Sequence, residues 1–218
     1  LSDLYKSIED KSFNIDEAIK FIVDKKREKF DETIEISMNL GIDPRHADQM
    51  VRGVVSLPNG NGKVMKIAVF AKDKKAEEAK QAGADVIGAE DLAEDMQKGN
   101  LDYDRVIATP DMMGVVGKIG KVLGPKGLMP NPKLGTVTPD VKAAVEAAKS
   151  GQVQYRAEKT GIVQAGIGKM SFGSDKLIEN VNSFIEAIQK SRPSGAKGTF
   201  IKKISISSTM GVGINVNI

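Results

Sequence analysis

The sequence predicts an α/β protein of two domains: a split α+β domain built from both chain ends, residues 1–62 plus 151–218, and an α/β domain inserted at 63–150. Three observations predict it. The two ends share one style, a helix with a single apolar face beside strands that alternate apolar and polar residues. The middle instead alternates short apolar strands with helical stretches. Each change of style falls at a glycine-marked turn, Pro58-Asn59-Gly60-Asn61-Gly62 and Gly151. A linear arrangement of three parts is the alternative reading of the same pattern.

The elements follow in order. Ile15, Ala18, Ile19, Ile22 and Val23 fall on one face of a helix, and Asn14 with Glu17 three residues later has the spacing of a capping box; this helix is expected to run out near Phe30. From Thr33 the period becomes two. Ile34, Ile36, Met38 and Leu40 alternate with Thr33, Glu35, Ser37 and Asn39, a strand with one buried face, closed by Gly41 and Pro44. Val51 to Leu57 is a second apolar run before the first turn. In the middle, strand and helix alternate: Val64 to Ala71, Asp73 to Ala82, Val86-Ile87, Glu90 to Lys98 and Arg105 to Ala108, the order of a parallel, Rossmann-like unit. Thr138-Pro139-Asp140 caps a helix from Val141 to Lys149. Gln152 to Arg156 and Gly161 to Ile167 read as strands. A helix from Ser174 carries Leu177, Ile178, Val181, Phe184, Ile185 and Ile188 on one face, and strands at Phe200 to Ser207 and Val212 to Ile218 close the chain.

Composition narrows the function. The 218 residues contain no cysteine and one histidine, so disulfides and thiolate zinc sites are excluded and imidazole chemistry has only His46, in the loop-like Asp43-Pro44-Arg45-His46. A reducing cytoplasm fits. No apolar run approaches the ~20 residues of a membrane span, and the opening segment Leu1 to Lys11 lacks the pattern of a secretory signal. Net charge is +3, but it is unevenly placed: residues 1–62 hold 9 basic and 12 acidic groups, and residues 151–218 hold 9 and 4. After Glu186 come Lys190, Arg192, Lys197, Lys202 and Lys203 without an acid, a basic edge suited to a polyanion.

The most unusual segment is GVVGKIGKVLGPKGLMPNPKLG, Gly114 to Gly135, with six glycines, four lysines, three prolines and no acid. It does not read as ordinary core. Glycine allows close backbone approach, lysine neutralises phosphate, and exposed amides between them can form anion-binding concavities. A long surface loop is the bland alternative. A nucleotide pocket is the other, but neither G-x-x-x-x-G-K-[ST] nor G-x-G-x-x-G after a strand is present, and no G-x-S-x-G occurs. No catalytic set and no cofactor is expected.

The run MGVVGKIGKVLGPKGLMPNPKLGTV, Met113 to Val137, resembles the signature of the bacterial large-subunit ribosomal stalk protein, the L-one family. KFDETIEI at Lys29 to Ile36, LGIDPR at Leu40 to Arg45, VRGVVSLPNGNGK at Val51 to Lys63, GAKGTF at Gly195 to Phe200 and STMG at Ser208 to Gly211 extend the likeness over nearly the whole chain. Family members usually open with a basic extension and usually have proline after STMG. This chain opens with a nearly balanced segment and has Val212-Gly213 there.

The resemblance implies two α/β domains joined by a hinge, the second inserted in the first. It implies a monomer within the cytoplasmic ribosome, bound to large-subunit rRNA as a mobile stalk that attends release of deacylated tRNA at the exit site. It also implies repression of translation through the messenger RNA of the protein's own operon. Carried over by motif, the RNA face uses Lys29, Phe30, Thr33 and Glu35 with Ser208, Thr209, Met210 and Gly211; Arg156, Lys159 and Lys169 are phosphate contacts or solvated cations. Phe30 reads equally as core packing at a helix end. Small polar side chains suit structured RNA, which is read through shape, 2′-hydroxyls and phosphates. Lys118, Lys121, Lys126 and Lys133 are left for a second nucleic-acid surface. A nucleotide-dependent enzyme and a free-standing RNA chaperone are the rival classes.

Overall fold

A computed structural model describes residue 8 and residues 13–25, 28–72 and 74–217. The expectations for the opening segment, for a helix start at Asp73 and for a strand end at Ile218 fall on residues outside these. The chain divides into two compact units, Leu1–Lys63 with Gly151–Ile218, and Val64–Ser150.

In the first unit, α1 (Ile15–Asp24) and β1 (Thr33–Leu40) come first, followed by β2 (Arg52–Ser56); the C-terminal part adds β6 (Gln152–Arg156), β7 (Ile162–Lys169), α7 (Ser174–Lys190), β8 (Ile201–Ser208) and β9 (Ile214–Val216). Four strands form an antiparallel sheet in the order β7-β1-β8-β9, while β2 and β6 make a separate antiparallel ribbon. The alternation of β1 is the reason for the layering: Ile34, Ile36, Met38 and Leu40 are buried in one core with Ala18, Ile19 and Ile22 of α1 and Leu177, Val181, Phe184 and Ile188 of α7. Full burial of Phe184 alone contributes about 2–3 kcal/mol. The other face of the sheet keeps small polar groups, with Glu35 opposite Gly166 and Ser207, and Ser37 opposite Gln164 and Ser205. α1 stops at Asp24, short of the expected Phe30: the run Asp24 to Lys29 has no apolar residue to carry its stripe on.

A polar side chain is packed into that core. Asn180, fully buried on α7, donates to the carbonyls of Gly60 at 2.9 Å and Ile167 at 2.7 Å and accepts from the Asn59 N–H at 3.1 Å. Its amide therefore ties the turn at 58–62 to β7. Gly151 lies against the same turn: a Cβ there would stand 2.3 Å from the Gly60 Cα, and its φ of +93° is one that side chains disfavour, so only glycine fits.

The second unit is a parallel sheet, β4-β3-β5, of Val86–Gly88, Ile67–Phe70 and Arg105–Ala108. Strands β3 and β5 are buried at every residue, which a parallel sheet covered on both faces requires. One face packs on α3 (Glu90–Gln97), α4 (Met113–Lys118) and α5 (Gly120–Leu123); the other packs on α2 (Lys74–Gln81) and α6 (Val141–Lys149). Strand β3 begins at Ile67 rather than Val64, whose side chain is 93% exposed. Burial pushes the Arg105 guanidinium below its ordinary value, though such a group stays charged at neutral pH.

Candidate nucleic-acid interface

The sheet of the first unit gathers most of the expected site residues at one end, where β1 begins and β7 and β8 finish. The Thr209 N–H donates to the Thr33 carbonyl at 3.1 Å, and the Thr33 N–H donates to the Thr209 hydroxyl at 3.0 Å. The Lys169 ammonium reaches the Thr33 hydroxyl at 2.8 Å from the other side. Thr33, Lys169, Ser208, Thr209, Met210 and Gly211 thus form one cluster. Glu35 continues it on the open face of the sheet, just beyond a bulge between Ile34 and Glu35 in the pairing with β7.

Beneath the cluster lies a residue that the motif assignment missed. Glu32 is 2% exposed, and a single carboxylate oxygen accepts from the Ser208 hydroxyl at 2.7 Å and from the Met210 N–H at 3.0 Å. The signal was present in the alternation, since Glu32, Ile34 and Ile36 share a face; a carboxylate on a buried face must have donors aimed at it. Asp31 beside it accepts from the Ser171 N–H at 3.0 Å and the Ser171 hydroxyl at 2.7 Å, and the Met170 N–H donates to the Glu32 carbonyl at 2.9 Å. These bonds fix the segment before β1 to the end of β7. The turn itself closes through the Gly211 N–H to the Ser208 carbonyl at 3.2 Å, and a Cβ on Gly211 would meet the Ser208 hydroxyl at 2.3 Å.

Two apolar side chains stand out of this polar framework. Phe30 is 49% exposed and Met210 is 53% exposed; with Val64 they are the exposed large hydrophobics among the described residues. Phe30 is therefore not core. The hydroxyls of Thr209 and Ser208 are engaged in holding the turn, so their contribution to a ligand is chiefly through position. The free groups are Lys29, Phe30, Glu35 and Met210. A mix of one acceptor, one or two cations and two apolar surfaces suits a folded RNA, with its 2′-hydroxyl donors and exposed sugars and bases, better than a plain polyphosphate.

Arg156 and Lys159 lie elsewhere. They flank the β6–β7 turn, where the Leu40 N–H donates to the Gly161 carbonyl, at the far end of β1. Eight residues of strand separate the two ends by roughly 23 Å.

The glycine- and lysine-rich segment of the second unit corrects the expectation that it stands outside the core. Val116, Ile119 and Leu123 are fully buried, because positions 116, 119 and 123 make a helical stripe that the glycines between them conceal. Nor does the segment offer a row of free amides: the N–H groups of Ile119, Val122, Leu123, Gly124, Gly127 and Leu128 all close on carbonyls within it. Its outward face keeps Lys118, Lys121, Lys126 and Lys133, all exposed, with open space beside Gly114 and Gly117.

Among the described residues no three His, Cys, Asp or Glu side chains are placed to hold a metal ion, and no helix is long and apolar enough to cross a membrane. Comparison with known families finds that residues 14–212 match the model of the ribosomal protein L1p/L10e family.

Proposed function

The chain belongs to the ribosomal protein L1p/L10e family, and from that premise we propose that its split unit grips a folded segment of large-subunit rRNA through the Thr33–Met210 end of the sheet. The family consists of large-subunit ribosomal proteins that bind rRNA; it is not a family of enzymes, and its place is the cytoplasmic ribosome. The observation that carries the residue assignment is the exposure of Met210, on a turn held from below by Glu32, and of Phe30, in the segment that leads into β1. Apolar side chains held outward beside polar groups offer sugars and unstacked bases a surface to pack on. Lys29 and Lys169 supply cations beside it, and Glu35 supplies an acceptor.

In this reading the first unit, close to residues 1–62 with 151–218, is an RNA-binding domain and the second is inserted in it. The assembled protein is a monomer in the ribosome and forms a mobile stalk near the tRNA exit site. There the outward lysines of the second unit, Lys118, Lys121, Lys126 and Lys133, meet tRNA or neighbouring rRNA and assist release of deacylated tRNA. The same face of the first unit takes a like-folded segment of the protein's own operon mRNA and represses its translation. The test is a gel-shift titration of the purified chain with a stalk rRNA fragment. Submicromolar binding that Met210→Ala weakens, with the fold unchanged by circular dichroism, is the expected result. Equal affinity for the fragment and for an unrelated duplex removes the reading.

A further inference from the structure

The turn Pro58-Asn59-Gly60-Asn61-Gly62 holds both Asn-Gly pairs of the chain, and the fold treats the two differently. An asparagine followed by glycine is prone to lose its amide: the glycine nitrogen attacks the side-chain carbonyl carbon, and no Cβ stands in the way of the approach. The reaction needs a nitrogen free of other bonds and a side chain that lies along the following peptide.

Asn59 is shielded. The Gly60 N–H, its potential attacker, donates to the Leu57 carbonyl at 3.1 Å. The Asn59 side-chain NH2 is held on α7 by the Lys176 carbonyl at 3.2 Å and a Glu179 carboxylate oxygen at 2.7 Å. Asn61 is not shielded. Among the described residues the Gly62 N–H has no hydrogen-bond partner. The Asn61 side-chain oxygen accepts from the Lys63 N–H at 3.0 Å, an Asx turn that lays the amide back along the Gly62 peptide. That N–H is aimed at the oxygen on which negative charge builds during the attack, so it stabilises the tetrahedral intermediate. Asn61 is half-exposed and Gly62 exposed, which admits water.

The glycine that opens Asn61 to attack is itself fixed by packing. Gly62 has a φ of +70°, and a Cβ there would stand 2.6 Å from the Lys169 Cγ and 3.0 Å from the Phe172 ring. A bulkier neighbour that would protect Asn61 does not fit.

We propose that Asn61 is a self-modification site, deamidating to aspartate and isoaspartate in the folded chain while Asn59 stays intact. The Gly62 nitrogen bonds to the Asn61 Cγ, the side-chain nitrogen leaves with the proton as ammonia, and a cyclic succinimide results. Water opens the ring. Cleavage between the nitrogen and Cγ gives aspartate; cleavage between the nitrogen and the main-chain carbonyl carbon gives isoaspartate. The net reaction exchanges ammonia for water, with no change of oxidation state. Either product adds a negative charge, and isoaspartate also adds a carbon to the main chain. Both changes fall beside the stem of Lys169, whose ammonium bonds the Thr33 hydroxyl.

The test incubates the full chain in warm, mildly alkaline buffer, once folded and once unfolded in guanidinium chloride as a clock. Fragmentation of the peptide in a mass spectrometer reads the change from amide to acid at Asn59 and Asn61 separately. Methyl transfer from S-adenosylmethionine by a purified protein-isoaspartate methyltransferase counts the isoaspartate. In the folded chain Asn61 is expected to convert about tenfold or more faster than Asn59, because the bonds on Asn59 and Gly60 must break first. In the unfolded chain the two rates draw together. Asn61→Ser, whose hydroxyl can still accept from the Lys63 N–H, is expected to remove most of the methyl acceptance. A folded chain that keeps its Asn61 amide over the time in which the unfolded chain loses it overturns the proposal. So does a folded chain that converts Asn59 as fast as Asn61, or an Asn61→Ser chain that accepts as much methyl as the parent.

Discussion

Replacing Glu32 by Gln keeps the size of the side chain and one acceptor oxygen for the turn, while it removes the charge and makes the other oxygen an NH2 donor, so it tests what the buried carboxylate does. One oxygen accepts two bonds, from the Ser208 hydroxyl at 2.7 Å and the Met210 N–H at 3.0 Å. Bonds to an ionised acceptor contribute about 1.5–3 kcal/mol each against about 0.5–1.5 for a neutral one, so two bonds weaken by about 2 kcal/mol together. Global stability is expected to fall by less than this, because the substitution also removes the desolvation cost of a carboxylate that is 2% exposed. RNA affinity has no such offset: only the ordered turn presents Met210, and loosening it by about 1.4–2 kcal/mol weakens Kd about 10- to 30-fold. Urea unfolding and gel-shift titration of the same preparations separate the two quantities. Combining Glu32→Gln with Ser208→Ala should cost less than the sum of the single changes, with a coupling of at least about 0.5 kcal/mol. A folded Glu32→Gln protein that binds the rRNA fragment as tightly as the parent refutes the reasoning.

Replacing Lys118, Lys121, Lys126 and Lys133 together by Ala should leave binding of the isolated rRNA fragment nearly intact and make ribosome or tRNA affinity less salt-dependent, by up to about 0.9 in slope per neutralised phosphate on a duplex; failure to bind the fragment itself would put these lysines in the primary site. Residues 1–62 joined to 151–218 by a short glycine linker should fold and bind the fragment, since Gly60 and Gly151 already touch; circular dichroism and gel filtration check the fold, and an aggregated product argues for one indivisible domain. Asn180→Ala removes three hydrogen bonds from a fully buried site and should destabilise the chain by about 2–4 kcal/mol in urea unfolding. A change under about 0.5 kcal/mol would mean that water replaces the amide.

Where burial alone decides, the sequence was legible. The stripe on α7 and the alternation of β1 each pair one period with one buried face, and both elements stand where those periods place them. Legibility failed where side chains carry little of the signal. Over α4 and α5 the glycines supply no hydrophobicity of their own, so a buried stripe of Val116, Ile119 and Leu123 reads as a loop. At the turn after β8, residue identity did not show that the Ser208 and Thr209 hydroxyls bond Glu32 and Thr33, because that depends on which strand end lies beneath, a tertiary fact.

The pairing of β1 has a consequence for how the protein is made. Its neighbours, Ile162–Lys169 and Ile201–Ser208, are both encoded after the second unit. At ~5–20 residues per second, the interval between synthesis of Leu40 and of Ser208 lasts about 10–30 s. Through that time Ile34, Ile36, Met38 and Leu40 have no sheet to enter and both edges of the strand are open, while the second unit, whose strands pair only with one another, can complete. A nascent chain arrested after Ser150 therefore carries a folded body behind a sticky N-terminal strand, the kind of exposed segment that chaperones bind.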